Sequence, residues 1–138
     1  MNTIESVQLK KLPLHLDNQG FLVAFDSKAD LQIDLRRVFV VSGHENARRG
    51  NHAHKALTQF LVCVSGECRV VCDDGKCRRE TILDSPDQVL KVPKHIWAEQ
   101  YYVVKDTVLL VFCDQPFNEE DYIRNYDDFL LFRNREMK

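Results

Sequence analysis

The chain has 138 residues, with 19 basic and 21 acidic side chains, a net charge of −2, and 44% hydrophobic and 29% charged residues. A chain of this size buries about 70% of its unfolded surface, so these figures predict one globular domain, residues 1–138, and exclude a disordered chain or a second domain. The missing basic excess excludes a general nucleic-acid binder, and no run reaches the roughly 20 apolar residues of a membrane span.

The opening residues Met1 to Ser6 carry neither a basic n-region nor an apolar h-region, so no secretory signal is expected. Strand-like segments follow in chain order: 21–25, 37–41, 59–64, 68–72, 89–92 and 107–112, each rich in β-branched and aromatic residues. Turn-forming residues separate them at 17–20, 65–66, 73–75, 85–87 and 105–106. Asp74-Gly75 predicts a tight type I′ hairpin, because that turn needs positive φ. Short strands at this spacing predict an all-β sandwich or barrel. Segment 118–132 reads differently. Asn118 and the acids behind it suit a helix start, and Tyr122, Ile123, Tyr126, Phe129, Leu130 and Phe132 partly follow helical spacing. One or two short helical turns on the end of a barrel are expected there. The five cysteines, Cys63, Cys68, Cys72, Cys77 and Cys113, form no Cys-x-x-Cys pair and read as reduced thiols of a cytoplasmic protein.

The chemistry concentrates in Arg48-Arg49-Gly50-Asn51-His52-Ala53-His54-Lys55. Residues two apart on a strand share a face, so His52 and His54 are expected side by side, with Gly50 leaving open space on that face. Such a pair serves as acid–base groups near neutral pH, as metal ligands, or as polar residues of a solvated sheet. Trp97 and Glu99 are expected on one face of their strand, with Gln100 on the other. Phe39 reads as packing.

The His-x-His pair, the polar Gln59 and the closing Gly66 resemble the first motif of the cupin superfamily, a small double-stranded β-helix or jelly roll. Gln59 stands where the usual motif has Glu. Ala98 stands where the second motif has a ligating His, with His95 displaced by three residues. The resemblance therefore leaves half of a metal cupin's ligand set missing, and no metal is expected.

A narrower resemblance rests on Arg49 to Lys55, Gln59 to Gly66, Asp73-Asp74-Gly75, Trp97 to Gln100 and Asp121 to Asp127. Together these look like the metal-free sugar 3,4-ketoisomerases, over about residues 17–129. The resemblance implies an all-β cupin jelly roll with a short C-terminal helical segment, and a homodimer in which the apolar strand 21–25 is the candidate for pairing with, or crossing to, the partner. It further implies a dTDP-4-keto-6-deoxyglucose substrate, supply of dTDP-3-amino-sugar pathways, and no cofactor. His52 becomes the carbon base and His54 the oxygen-side shuttle. Arg49, Arg37 and Lys55 become candidates for the diphosphate and sugar, with Gln59, Trp97 and Glu99 as further substrate-binding candidates. The alternatives are a sugar-nucleotide 3,5-epimerase, a metal-dependent cupin enzyme and a non-catalytic nucleotide-sugar binding module. Gln19 departs from the arginine that often precedes the early turn glycine in this family, which bears on the C4 configuration of the product.

Overall fold

The computed structural model describes residues 1–136. Its strands are β1 (Gln8–Lys11), β2 (His15–Asp17), β3 (Gly20–Leu22), β4 (Arg37–Gly43), β5 (Ala47–His54), β6 (Gln59–Ser65), β7 (Cys68–Asp73), β8 (Arg78–Leu83), β9 (Gln88–Val92), β10 (Trp97–Tyr102), β11 (Thr107–Cys113) and β12 (Tyr122–Ile123), followed by helix α1 (Tyr126–Glu136). One five-stranded antiparallel sheet runs β1-β9-β6-β11-β4, and a second runs β12-β5-β10-β7-β8. The expected all-β jelly roll of the cupin type, closed by a C-terminal helix, is what the chain forms. No helix among the described residues is long and apolar enough to cross a membrane.

Alternation along the strands makes the core. Leu61 and Cys63, Cys68, Val70 and Cys72, and Leu109 and Val111 all turn inward between the two sheets. The intervening Phe60, Val62 and Phe112 face out from the first sheet and are covered by Val23, Phe25 and Leu31. This second burial explains why β6 reads as a continuous apolar run. A third cluster joins Ala53, Trp97 and Ile123 on the outer face of the second sheet to Phe129 of α1. Asn125 Oδ1 caps that helix by accepting from the Asp128 amide at 3.0 Å. Four of the five cysteines are buried, Cys77 is exposed, and all five are free thiols.

Phe129 is fully buried, with its ring centroid 5.7 Å from that of Trp97. Phe129→Ala is expected to cost about 3–5 kcal/mol, read as a lower urea midpoint, because little surrounds the ring that can collapse into its place.

Three expectations need correction. The strand expected at 21–25 is only Gly20–Leu22, which pairs with His15–Asp17 as an exposed hairpin. Val23 and Phe25 leave the strand to cover the first sheet. The turn after β7 has four residues rather than two, with positive φ at Gly75. Asp74 Oδ1 shapes it by accepting from the amides of Lys76 and Cys77 at 2.9 and 2.8 Å. Asn118 does cap a helical turn, but only a 3₁₀ turn, Glu119–Asp121. The chain then extends as β12 before α1 begins, and α1 runs for 11 residues. Strands β1 and β8 had no clear signal, since each is an edge strand carrying charged residues such as Lys10, Lys11, Arg78 and Glu80.

Candidate active site

The site is built on an irregularity in β5. Its register against β10 pairs Arg49 with Gln100, Gly50 with Glu99, and His52 with Ala98, so Asn51 has no partner and forms a bulge. Gly50 and Asn51 both have positive φ, +82° and +59°. A regular strand would send Arg49 and His52 to opposite faces. The extra residue reverses the alternation, and both point into the barrel, while Ala53 packs under Trp97 on the outer face. Gly50 therefore does not leave open space beside the histidines. A Cβ there would lie 3.0 Å from the Ala98 carbonyl oxygen, so glycine is required by the close backbone approach and by φ together.

His52 Nδ1 lies 3.1 Å from the Gly50 carbonyl oxygen. A carbonyl only accepts, so Nδ1 carries the proton and Nε2 keeps its lone pair. Burial first, then the neighbouring His54 ring, pushes the His52 imidazole down to about 4, against the opposing pull of the Gly50 carbonyl. His52 is thus a neutral base at neutral pH. His54 stands 4.9 Å behind it, centroid to centroid, and is only 5% exposed. Its Nδ1 donates to Asp121 Oδ2 at 2.9 Å, and its buried Nε2 has no partner among the described residues. Burial pushes the His54 imidazole down, and the hydrogen bond and charge of Asp121 act against it. Asp121 Oδ1 also accepts from the Ala56 amide at 2.6 Å, fixing the chain just after the histidines.

A cavity of about 390 Å³ opens in front of His52. His52 lines it and His54 does not, so the expected direct oxygen-side shuttle is set back from the open space. Arg37 and Arg49 line it as expected, together with the unforeseen Arg48 and Arg124. Arg48 is committed to Glu99 Oε1 at 2.9 Å, and Arg124 to both oxygens of Glu119 at 2.7 and 2.9 Å. Arg37 and Arg49 have no carboxylate within ion-pair distance among the described residues. Phe39 packs beneath the Arg37 guanidinium at 4.7 Å. Gln59, Gln100 and Asn51 add neutral amides, and Tyr122 stands between this cavity and a neighbouring cleft. Gln100 Oε1 accepts from the buried Tyr102 hydroxyl at 2.8 Å, which leaves its NH₂ group for the cavity.

Three expected substrate-binding residues lie elsewhere. Trp97 and Glu99 share a face, as their spacing predicts, but it is the outer face, because their strand turns Ala98 and Gln100 inward. The Trp97 ring packs against Tyr126 and Phe129 and donates to Glu99 Oε2 at 3.1 Å. Glu99 also accepts from Arg48, Arg78 and Tyr101. Burial raises its carboxyl, but the donors from Tyr101, Trp97 and Arg78 outweigh that and hold it below the usual range. Lys55 lines an adjoining cleft with Arg135, which shares Tyr122 and Arg124 with the first cavity. Among the described residues no group of three His, Cys, Asp or Glu is placed to hold a metal ion.

A cupin-type barrel with a neutral imidazole at the head of a cationic cavity, lined by no carboxylate among the described residues, defines an acid–base site for an anionic ligand. The chain belongs to the FdtA family, described as WxcM-like, C-terminal, whose model matches residues 5–134. It is 38% identical over 124 residues to the TDP-4-oxo-6-deoxy-alpha-D-glucose-3,4-oxoisomerase of Aneurinibacillus thermoaerophilus, covering 89% of this chain and 87% of that one. The sugar 3,4-ketoisomerase QdtA of Thermoanaerobacterium thermosaccharolyticum, solved in complex with TDP, superposes with a TM-score of 0.92 at 28% identity, covering 99% of this chain and 100% of that one. A histidine-to-asparagine variant of the same enzyme, solved in complex with TDP-4-keto-6-deoxyglucose, gives a TM-score of 0.91 at 28% identity over 96% of this chain and 97% of that one.

Proposed function

We propose that this enzyme, a sugar 3,4-ketoisomerase, moves the ketone of TDP-4-keto-6-deoxyglucose from C4 to C3, with His52 as the carbon base. The observation that carries the reading is the His52 tautomer, in which Gly50 holds the proton on Nδ1 and leaves Nε2 free beside the cavity. The neutral imidazole takes the C3 proton, an enediol forms, and the imidazolium returns a proton to C4. No electrons leave the sugar, so the step is redox-neutral. His54, held by Asp121, is a positioning residue that packs against His52 and fixes its ring plane.

Substrate binding follows from charge. A diphosphate bridging nucleoside and sugar carries two negative charges, and Arg37 and Arg49 are the two cavity guanidiniums without carboxylate partners among the described residues. The amides of Gln59, Asn51 and Gln100 suit sugar hydroxyls and add no competing charge. Lys55, in the adjoining cleft, stands beside the site rather than in it.

The matched span and the shared core of the two sheets support reading residues 1–138 as one cupin domain. The hairpin of β2 and β3 exposes Leu16, Phe21 and Leu22 by 73, 57 and 58%, which supports a homodimer in which this hairpin is covered by the partner. The free, mostly buried thiols suit a reducing cytoplasm. The 3-keto product is the substrate an aminotransferase needs to make a 3-amino sugar.

Incubation with TDP-4-keto-6-deoxyglucose in D₂O, followed by NMR, tests the reading. The carbonyl signal is expected to move to C3, with no deuterium at C5. A ketone that stays at C4 overturns the reading, and deuterium at C5 points to a 3,5-epimerase instead. The pH profile gives a second check. His52 works only when neutral, and its folded-state value is about 4 rather than the ordinary 6.5. The acid limb of kcat/KM is therefore expected well below pH 6.5, with activity held through pH 5.5 and lost as pH falls toward 4.

A further inference from the structure

The arginines of the cavity are held in different ways. Arg48 and Arg124 each touch an aromatic ring, but both are tied to carboxylates, Arg48 to Glu99 at 2.9 Å and Arg124 to Glu119 at 2.7 Å. A carboxylate fixes its guanidinium, yet it occupies N–H donors and offsets the positive charge. Arg37 lies instead against two rings, 4.7 Å from the centroid of Phe39 and 5.2 Å from that of Phe117. An aromatic face attracts a cation through its quadrupole and leaves the charge in place. With no carboxylate in ion-pair distance among the described residues, the Arg37 donors remain available to the cavity it lines.

The two rings differ in why they are there. Phe39 packs against the core between the sheets. Phe117 is 56% exposed and belongs to no apolar cluster of the described residues, so burial does not account for it. Its loop is nevertheless pinned at both ends. Asp114 Oδ1 accepts from the Thr58 amide at 2.9 Å, and Asn118 Oδ1 accepts from the Glu120 amide at 3.1 Å. Pro116 fixes φ one residue before the phenylalanine. The ring so placed meets Arg37 and, at 5.8 Å between centroids, Tyr122, both of which line the cavity.

We infer that Phe117 is a positioning residue: together with Phe39 it clips the Arg37 guanidinium at the cavity, so that free N–H donors are set for the diphosphate of the nucleotide sugar. This rests on the diphosphate role proposed for Arg37 above. A carboxylate in place of the ring would hold the arginine equally well, but it would repel the ligand. The ring holds the side chain without adding charge. It also fixes in advance a long side chain that would otherwise lose rotamer freedom on binding, which is the gain of preorganisation. The effect therefore falls on binding and leaves the proton chemistry of His52 untouched.

The test is a double-mutant cycle of Phe117→Leu and Arg37→Gln, read by TDP calorimetry and by steady-state kinetics with TDP-4-keto-6-deoxyglucose. Leucine keeps apolar bulk and removes the aromatic face. Phe117→Leu is expected to weaken TDP binding and raise KM by about tenfold, within the range of a desolvated cation–π contact. Its kcat should stay within about threefold of native, and its thermal midpoint within about 2 °C, as for a substitution outside the core. Phe117→Tyr keeps the ring and should hold native affinity within about twofold. In the Arg37→Gln background, Phe117→Leu should cost less than about a further twofold, since the group it positions is gone. A further loss of about tenfold there overturns the proposal and makes Phe117 a direct ligand contact. Native affinity and KM in Phe117→Leu overturn it too, as does a fall in kcat larger than the rise in KM. If Arg37→Gln binds TDP as the native chain does, the diphosphate role of Arg37 fails and the clip with it. If Arg37→Gln loses affinity and Phe117→Leu does not, the clip alone fails.

Discussion

Replacing His52 with asparagine should lower turnover by about 10³-fold or more while leaving TDP affinity within several-fold. The asparagine NH₂ group can still donate to the Gly50 carbonyl, as His52 Nδ1 does now, so the local backbone keeps its partner. What disappears is the basic Nε2, and no other lining residue replaces it. The rest of the lining consists of guanidiniums, neutral amides, a phenol and apolar groups, and no carboxylate lines the cavity among the described residues. General acid–base groups contribute about 10²–10⁴-fold, and a carbon acid with one base sits at the demanding end of that range. Turnover measured by NMR and TDP affinity by calorimetry give the two readouts. A kcat within tenfold of native rejects His52 as the base, and a tenfold or larger loss of TDP affinity makes it a binding residue.

Deleting Asn51 should be as severe, although Asn51 is neither acid nor base. The bulge is what allows Arg49 and His52 to share a face. Without the extra residue, strict two-residue alternation separates them. Either the imidazoles turn outward, toward the ground held by Trp97 and Phe129, or Arg49 leaves the cavity. The expected result is a barrel with near-native circular dichroism, a lower thermal midpoint and turnover reduced by about 10³-fold. Asn51→Gly is the contrasting variant. It keeps the residue count and accepts positive φ, and loses the side-chain bond from Arg48 Nε, 3.2 Å long, and one of the three neutral amides of the cavity. Activity within about tenfold of native is expected. Equal loss in both variants makes the Asn51 side chain, rather than the residue count, the important feature.

These variants also mark where the sequence was legible. The apolar strand segments at 37–41, 59–64, 68–72 and 107–112 all lie within strands, because each buries at least one face and so alternates or runs apolar. Arg37, Arg49, Gln59 and His52 were readable as site residues from local spacing and motif resemblance, and all four line the cavity. The face reversal at Gly50–Asn51 was not readable, since a bulge is set by pairing with β10, about fifty residues away. Asp121, Tyr122 and Arg124 were hidden for a related reason. Their stretch has helix-like spacing and a true capping residue, but pairing of Tyr122 with His54 overrides that local preference and extends the chain. Glu99 was placed on the correct strand and face, yet which face met the cavity depended on how the sheet closed. Its four donors identify it instead as the anchor that holds Arg48 at the cavity rim.

Strand β12 and helix α1 carry a consequence for biosynthesis. Asp121 clamps His54, Tyr122 walls the cavity, and Phe129 seals the back of the strand that bears the histidines. All three follow the histidines by some seventy residues, so the histidines leave the ribosome well before them. A nascent chain can collapse around its apolar strands before then, yet the cavity lacks one wall and His54 lacks its partner until β12 and α1 dock. The site is therefore completed in one step, by the docking of β12 and α1 on a barrel that already carries the histidines.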